Sequence, residues 1–97
     1  MNKIFYVYIL ASKENGALYV GVTSNLLKRI YEHQNEVING FTKEHSVHKL
    51  VYFEQYDDPE NAIRREKRLK KWNRDWKKNL IESVNPHWED LSKNLTP

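Results

Sequence analysis

Two tyrosines, Tyr8 and Tyr19, stand eleven positions apart near the start of this 97-residue chain. Arg29 and His33 follow four apart, and Glu66 sits inside a run of cations. Phenol and imidazole can exchange protons, a guanidinium pairs with anions, and a carboxylate can hold a hard cation. Glu66 falls four after Ala62 and three before Leu69, on the apolar stripe of a helix. A coreward carboxylate is costly unless it is paired or bound to a cation. Two readings stand side by side for it: an ion pair with Lys70 at i+4 or with Arg29 across the core, or a metal ligand. Arg29 and His33 stack at the edge of the stripe formed by Leu26, Leu27 and Ile30, within reach of a pocket rim. Each also has a plain reading, as a surface charge beside a carboxylate and as an exposed polar residue.

The elements that must carry these groups follow from periodicity. Ile4 to Ala11 is a nearly unbroken apolar run, the pattern of a central strand covered on both faces. Asn15-Gly16 predicts a two-residue hairpin turn, with Ala17 to Val22 returning. That register sets Leu10 opposite Gly21 and Tyr8 opposite Thr23, so Tyr8 and Tyr19 share a face and Gly21 leaves room there. Ser24 or Asn25 caps a helix through Leu26 to about Gln34, and Asn39-Gly40 marks a turn in the polar loop beyond. Leu50 to Tyr56 reads as a third strand. Asp58-Pro59 opens a second helix that breaks near Trp72-Asn73, and a third holds Trp76, Leu80 and Ile81. The order β-β-α-β-α-α implies an α+β fold, a three-stranded sheet flanked by helices. One domain is expected over residues 1–82, with 83–97 as a tail docked through Trp88 and Leu91.

Charge is unevenly placed. Arg64 to Lys78 holds nine cations against Glu66 and Asp75, a local +7 in a chain of net charge +3. Such a patch suits a polyanion, although a solvated helix face has the same composition. Trp72 and Trp76, four apart, either stack on unpaired bases or pack in the core. With no cysteine, disulfides and thiolate sites are excluded, and any metal takes oxygen or imidazole ligands. No apolar run approaches a membrane span, and the run after Lys3 reads as a core strand rather than a signal peptide. A cytoplasmic protein is expected.

Tyr6-Val7-Tyr8 and Tyr19-Val20-Gly21, then Arg29, His33 and Glu66 in order, resemble the GIY-YIG nuclease superfamily, most closely its small stand-alone bacterial members. The resemblance spans roughly Lys3 to Leu80, and Phe41-Thr42 and Asn85-Pro86-His87-Trp88 fit that branch. Tyr6 replaces the first motif's glycine, and the downstream asparagine of the family has only Asn79 and Asn85 as candidates. The resemblance implies a metal-dependent endonuclease acting on DNA more than RNA, branched, nicked or single-stranded, in a role such as DNA repair. It makes Tyr8, Tyr19, Arg29, His33 and Glu66 catalytic, with Glu66 holding Mg2+ or Mn2+. Tyr8 or Tyr19 would deprotonate the water, with a lean to Tyr8. Arg29 would stabilise the phosphorane, and His33 would accept the tyrosine proton. All five are expected to line one shallow concave surface. Arg65, Lys70, Lys71, Trp72 and Arg74 would grip nucleic acid. A monomer or weak dimer is expected, with a protein partner as one means of targeting. The alternative function is a nucleic-acid-binding module that has lost turnover; a domain that binds an acidic protein through the basic helix leaves Glu66 and the tyrosine pair unexplained.

Overall fold

The computed structural model describes residues 3–35 and 46–95; the Asn39-Gly40 turn and Phe41-Thr42 lie outside them. Strands β1 (Phe5–Ala11), β2 (Leu18–Thr23) and β3 (Lys49–Tyr56) form one antiparallel sheet in the order β2-β1-β3. Helix α1 (Leu26–Gln34) lies between β2 and β3 in sequence, and α2 (Pro59–Lys71), α3 (Arg74–Val84) and a 3-10 turn (Leu91–Asn94) follow β3. This is the α+β order β-β-α-β-α-α that the periodicities imply. Val7 to Ala11 are all buried because β1 is central and covered on both faces.

Alternation along the strands divides the core in two. On one face Val7, Ile9, Ala11, Val20 and Tyr52 pack under Ala62 and Leu69 of α2, Ile81 of α3 and Trp88. On the other, Tyr8, Leu10 and Leu50 pack under Leu26 and Ile30 of α1, with Leu91 alongside. The helix ends are capped by side chains at the positions their composition suggests. Asn25, Asp58 and Asn73 each accept from the backbone N–H three residues on, and Pro59 takes the first helical position of α2.

The hairpin register departs from the sequence expectation. The turn hydrogen bond runs from Gly16 N–H to the Lys13 carbonyl, so Glu14 and Asn15 are the central pair. Only Asn15, at φ 59°, is left-handed; Gly16 is not. A type I′ turn on Asn15-Gly16 would need both. Moving the loop centre back one residue shifts every cross-strand partner by two: Tyr8 faces Gly21, and Leu10 faces Tyr19. A shift of two preserves the faces, so the two tyrosines stay together.

On the opposite edge of β1 the pairing passes from Ile9–Tyr52 to Leu10–Leu50, leaving Val51 bulged. Its carbonyl accepts from Asn85 Nδ2 at 3.0 Å, and the Asn85 side chain also pairs with both backbone groups of Glu89. The tail is tied to the sheet by this amide and by Trp88, fully buried with Nε1 donating to Glu82 Oε2 at 2.7 Å.

Candidate active site

Tyr8 lies across the sheet toward β2. An added Cβ on Gly21 would stand 2.5 Å from both Cζ and Oη of Tyr8, so the missing side chain is the space the phenol occupies. The ring is 1% exposed, and its hydroxyl meets Nε2 of His33 at 3.1 Å. Tyr19, one strand over on the same face, has its ring centroid 5.1 Å from that of His33 and 6.3 Å from that of Tyr8. Three of the five expected residues are thus in mutual contact, placed by two adjacent strands and the facing turn of α1.

Electrostatics keeps Tyr8 and His33 neutral at rest. Burial raises the Tyr8 pKa far above that of a free phenol, the neighbouring Tyr19 and Glu66 raise it further, and Arg29 acts in the opposite direction. Burial, then the charges of Arg29 and His48, lower that of His33 to about 4. The imidazole therefore titrates well below physiological pH, unlike the free group on which the sequence expectation rested. Its Nδ1 is buried with no hydrogen-bond partner among the described residues.

Arg29 stands at the rim, its Nε 3.6 Å from Glu32 Oε1. With Thr23, Ser24, Asn25, Lys28 and Glu32 it lines a cavity of about 150 Å³. The surface-pair reading of Arg29 describes its contact, while its charge still reaches both Tyr8 and His33. Glu66 comes from α2, on the other face of the sheet, and its charge is also felt at Tyr8. Its carboxylate is 12% exposed and binds Lys70 Nζ at 2.7 Å, the ion pair the helical spacing allows. Lys70 is half exposed, so this pair contributes little to stability.

A hard cation fits this donor set. Magnesium is held by one or two carboxylates, with water and substrate phosphate completing its shell. Among the described residues no cluster of three acidic, imidazole or thiol groups forms an all-protein cage. Glu66, half-buried and already neutralised by a displaceable ammonium, is the group that would hold such an ion.

The basic run divides by role. Arg65 is not free for phosphate: Nε bonds Glu54 Oε1 at 3.0 Å and Nη2 bonds Oε2 at 2.9 Å. The same carboxylate accepts from the Tyr52 hydroxyl and from the Tyr56 hydroxyl at 2.7 Å, and these bonds with Arg65 hold its pKa below the usual carboxylate range against the opposing effect of burial. The Arg65 guanidinium also covers the Trp72 ring at 5.1 Å. Arg74 donates to the carbonyls of Asn15 and Gly16, fastening α3 to the hairpin tip. Lys71 is exposed. The Asn85 side chain is consumed by backbone groups and is not free to act as the family's asparagine; Asn79 is exposed on α3. Sequence reading missed His48, whose charge acts on His33, and Glu54, whose pairing depends on contact between β3 and α2 that no local spacing encodes.

Comparison with known proteins identifies the family and the fold. A UPF0213 protein of Clostridium perfringens is 40% identical over 90 residues, covering 93% of this chain and 96% of that one. A UPF0213 protein of Haloquadratum walsbyi is 33% identical over 82 residues, 84% of this chain and 91% of that one. The solution NMR structure of a UPF0213 protein from Bacillus halodurans superposes with a TM-score of 0.57 at 28% identity, covering 97% and 99% of the two chains. Residues 4–79 match the GIY-YIG catalytic domain. This chain, with its paired tyrosines on one sheet face, belongs to the GIY-YIG family of nuclease domains.

Proposed function

We propose that this protein is a divalent-metal-dependent endonuclease that hydrolyses nucleic-acid phosphodiesters, with DNA as its substrate. The observation that carries the reading is the packed Tyr8–Tyr19–His33 cluster, with the opposite charges of Arg29 and Glu66 both acting on Tyr8. A buried, neutral Tyr8–His33 pair, with two opposed charges acting on its tyrosine, is costly as architecture and useful for moving a proton.

Burial separates the roles of the two tyrosines. Tyr8 is enclosed, holds its proton tightly and hydrogen-bonds His33. Tyr19 is only partly buried. We therefore assign the contact with the attacking water to Tyr19, and to Tyr8 the task of fixing the imidazole. His33 is neutral at pH 7 and so carries one basic ring nitrogen, which would receive the proton that the water gives up through Tyr19. An arriving phosphate adds negative charge beside it and strengthens it as a base. Arg29 faces the developing charge on phosphorus. A cation held by Glu66 would supply Lewis-acid stabilisation of the phosphate and leaving oxygen. We take residues 1–82 as the catalytic unit and 83–97 as its tail, a division that the burial of Trp88 supports. No helix among the described residues is long and apolar enough to cross a membrane, and we place the protein in the cytoplasm as a monomer or weak dimer.

The test is single-turnover cleavage of end-labelled branched, flapped and single-stranded DNA with Mg2+ or Mn2+, repeated after chelation. Metal-dependent strand scission supports the reading. Salt-sensitive binding with no scission under any metal would replace it with a binding module of the same fold.

A further inference from the structure

Trp76 is the largest exposed aromatic surface in the basic segment, 56% accessible on the first turn of α3. Its support is unusually fixed. The ring stands edge-on, at 90° and 5.8 Å, to Trp72. Trp72 packs against the core and lies under the Arg65 guanidinium. Arg65 is forked onto Glu54, which two tyrosine hydroxyls hold in turn. An exposed indole on such a stack loses little side-chain freedom when a flat ligand covers it. Around it the chain from Arg64 to Lys78 is strongly cationic, and Arg74, two residues before Trp76, ties this end of α3 to the turn between the strands that carry Tyr8 and Tyr19.

We propose that Trp76 is a stacking platform for an unpaired nucleobase, so that the substrate is single-stranded or has at least one base outside the duplex. The occupant follows from the chemistry of the patch. A flat aromatic face amid cations matches a base with its phosphates, and paired bases within a duplex offer no free face to an indole. This inference rests on the nuclease reading for its substrate class.

The experiment uses the full chain without metal, so that binding is separated from cleavage. Affinities are measured by fluorescence anisotropy for a labelled thymine 20-mer and for a blunt duplex, with 2-aminopurine quenching in a matched single strand as the stacking signal. Trp76→Ala is expected to weaken single-strand binding roughly tenfold, the usual scale of one base–aromatic stack, and to abolish the quenching. Duplex binding should change less than twofold, and Trp76→Phe should recover most of the loss. Equal loss on both polymers, or none, would overturn the proposal. So would a change confined to self-association in sedimentation velocity, which makes the indole a contact between copies. If the parent chain binds neither polymer, the nuclease reading falls as well. If it binds both and Trp76 is irrelevant, only this inference falls.

Discussion

Gly21 offers the sharpest test of how the site is built, because two physical effects predict opposite signs for Gly21→Ala. On strand propensity alone, alanine in place of an interior glycine stabilises by about 0.5–1 kcal/mol. In this fold the new methyl would lie 2.5 Å from two atoms of the Tyr8 phenol. The ring cannot swing away cheaply, being enclosed and bonded to His33. Overpacking of this kind costs about 1–3 kcal/mol, and losing the Tyr8–His33 hydrogen bond about 1 kcal/mol more. The net expectation is destabilisation by about 2–3 kcal/mol, or a Tm lower by roughly 10–20 °C for a domain of this size. Thermal and urea unfolding read the magnitude. The cause is read by repeating the substitution in a Tyr8→Leu background, where no ring atoms remain over Gly21. There the penalty should fall below about 0.5 kcal/mol, a coupling of about 2 kcal/mol between residues 8 and 21. A Gly21→Ala protein as stable as the parent, or a penalty unchanged in the Tyr8→Leu background, would refute the placement of Tyr8 across β2.

His33 makes stability pH-dependent. Its folded pKa near 4 lies below the ordinary 6.5, so the unfolded chain binds more protons between these values. The stability from burying neutral imidazole is present above about pH 6.5 and is lost as pH falls toward 4. Urea unfolding at pH 7 and pH 5 should differ by about 2 kcal/mol from this group, and His33→Gln should remove that difference. Arg65→Ala leaves Glu54 as a half-buried carboxylate without its cation and should cost about 2 kcal/mol. The double variant Glu54→Gln/Arg65→Ala should regain part of this in the same melts, whereas additive losses would mean that the two residues act separately.

How much of this was readable beforehand depended on the range of the interaction. The unbroken run from Ile4 to Ala11 identified the central strand because burial on both faces leaves no polar alternation to hide it. The shared face of Tyr8 and Tyr19 survived a misplaced turn because side-chain direction depends on parity, and the partner shift was even. The turn was misread because Asn-Gly is a strong local signal, while the structure needs a left-handed residue only at Asn15. The tryptophans, equivalent by spacing, were separated by the helix break at Trp72, which turns one ring to the core and leaves the other in water. Glu66 was legible as an unusual residue, and its pairing with Lys70 follows from helix geometry. The commitment of Arg65 to Glu54 was not legible, since the two stand eleven positions apart on separate elements.

We propose that Glu66 serves a metal-dependent step rather than the fold. Its ion pair with half-exposed Lys70 is worth less than about 1 kcal/mol, so Glu66→Gln should melt within a few degrees of the parent. Single-turnover cleavage of one labelled DNA in Mg2+ or Mn2+ should fall on the order of a thousandfold, the several kcal/mol that a bound cation contributes to the transition state. Binding to the same DNA should hold or tighten slightly, as one negative charge leaves a cationic surface. A Glu66→Gln protein that cuts at the parental rate would remove Glu66 from the chemistry.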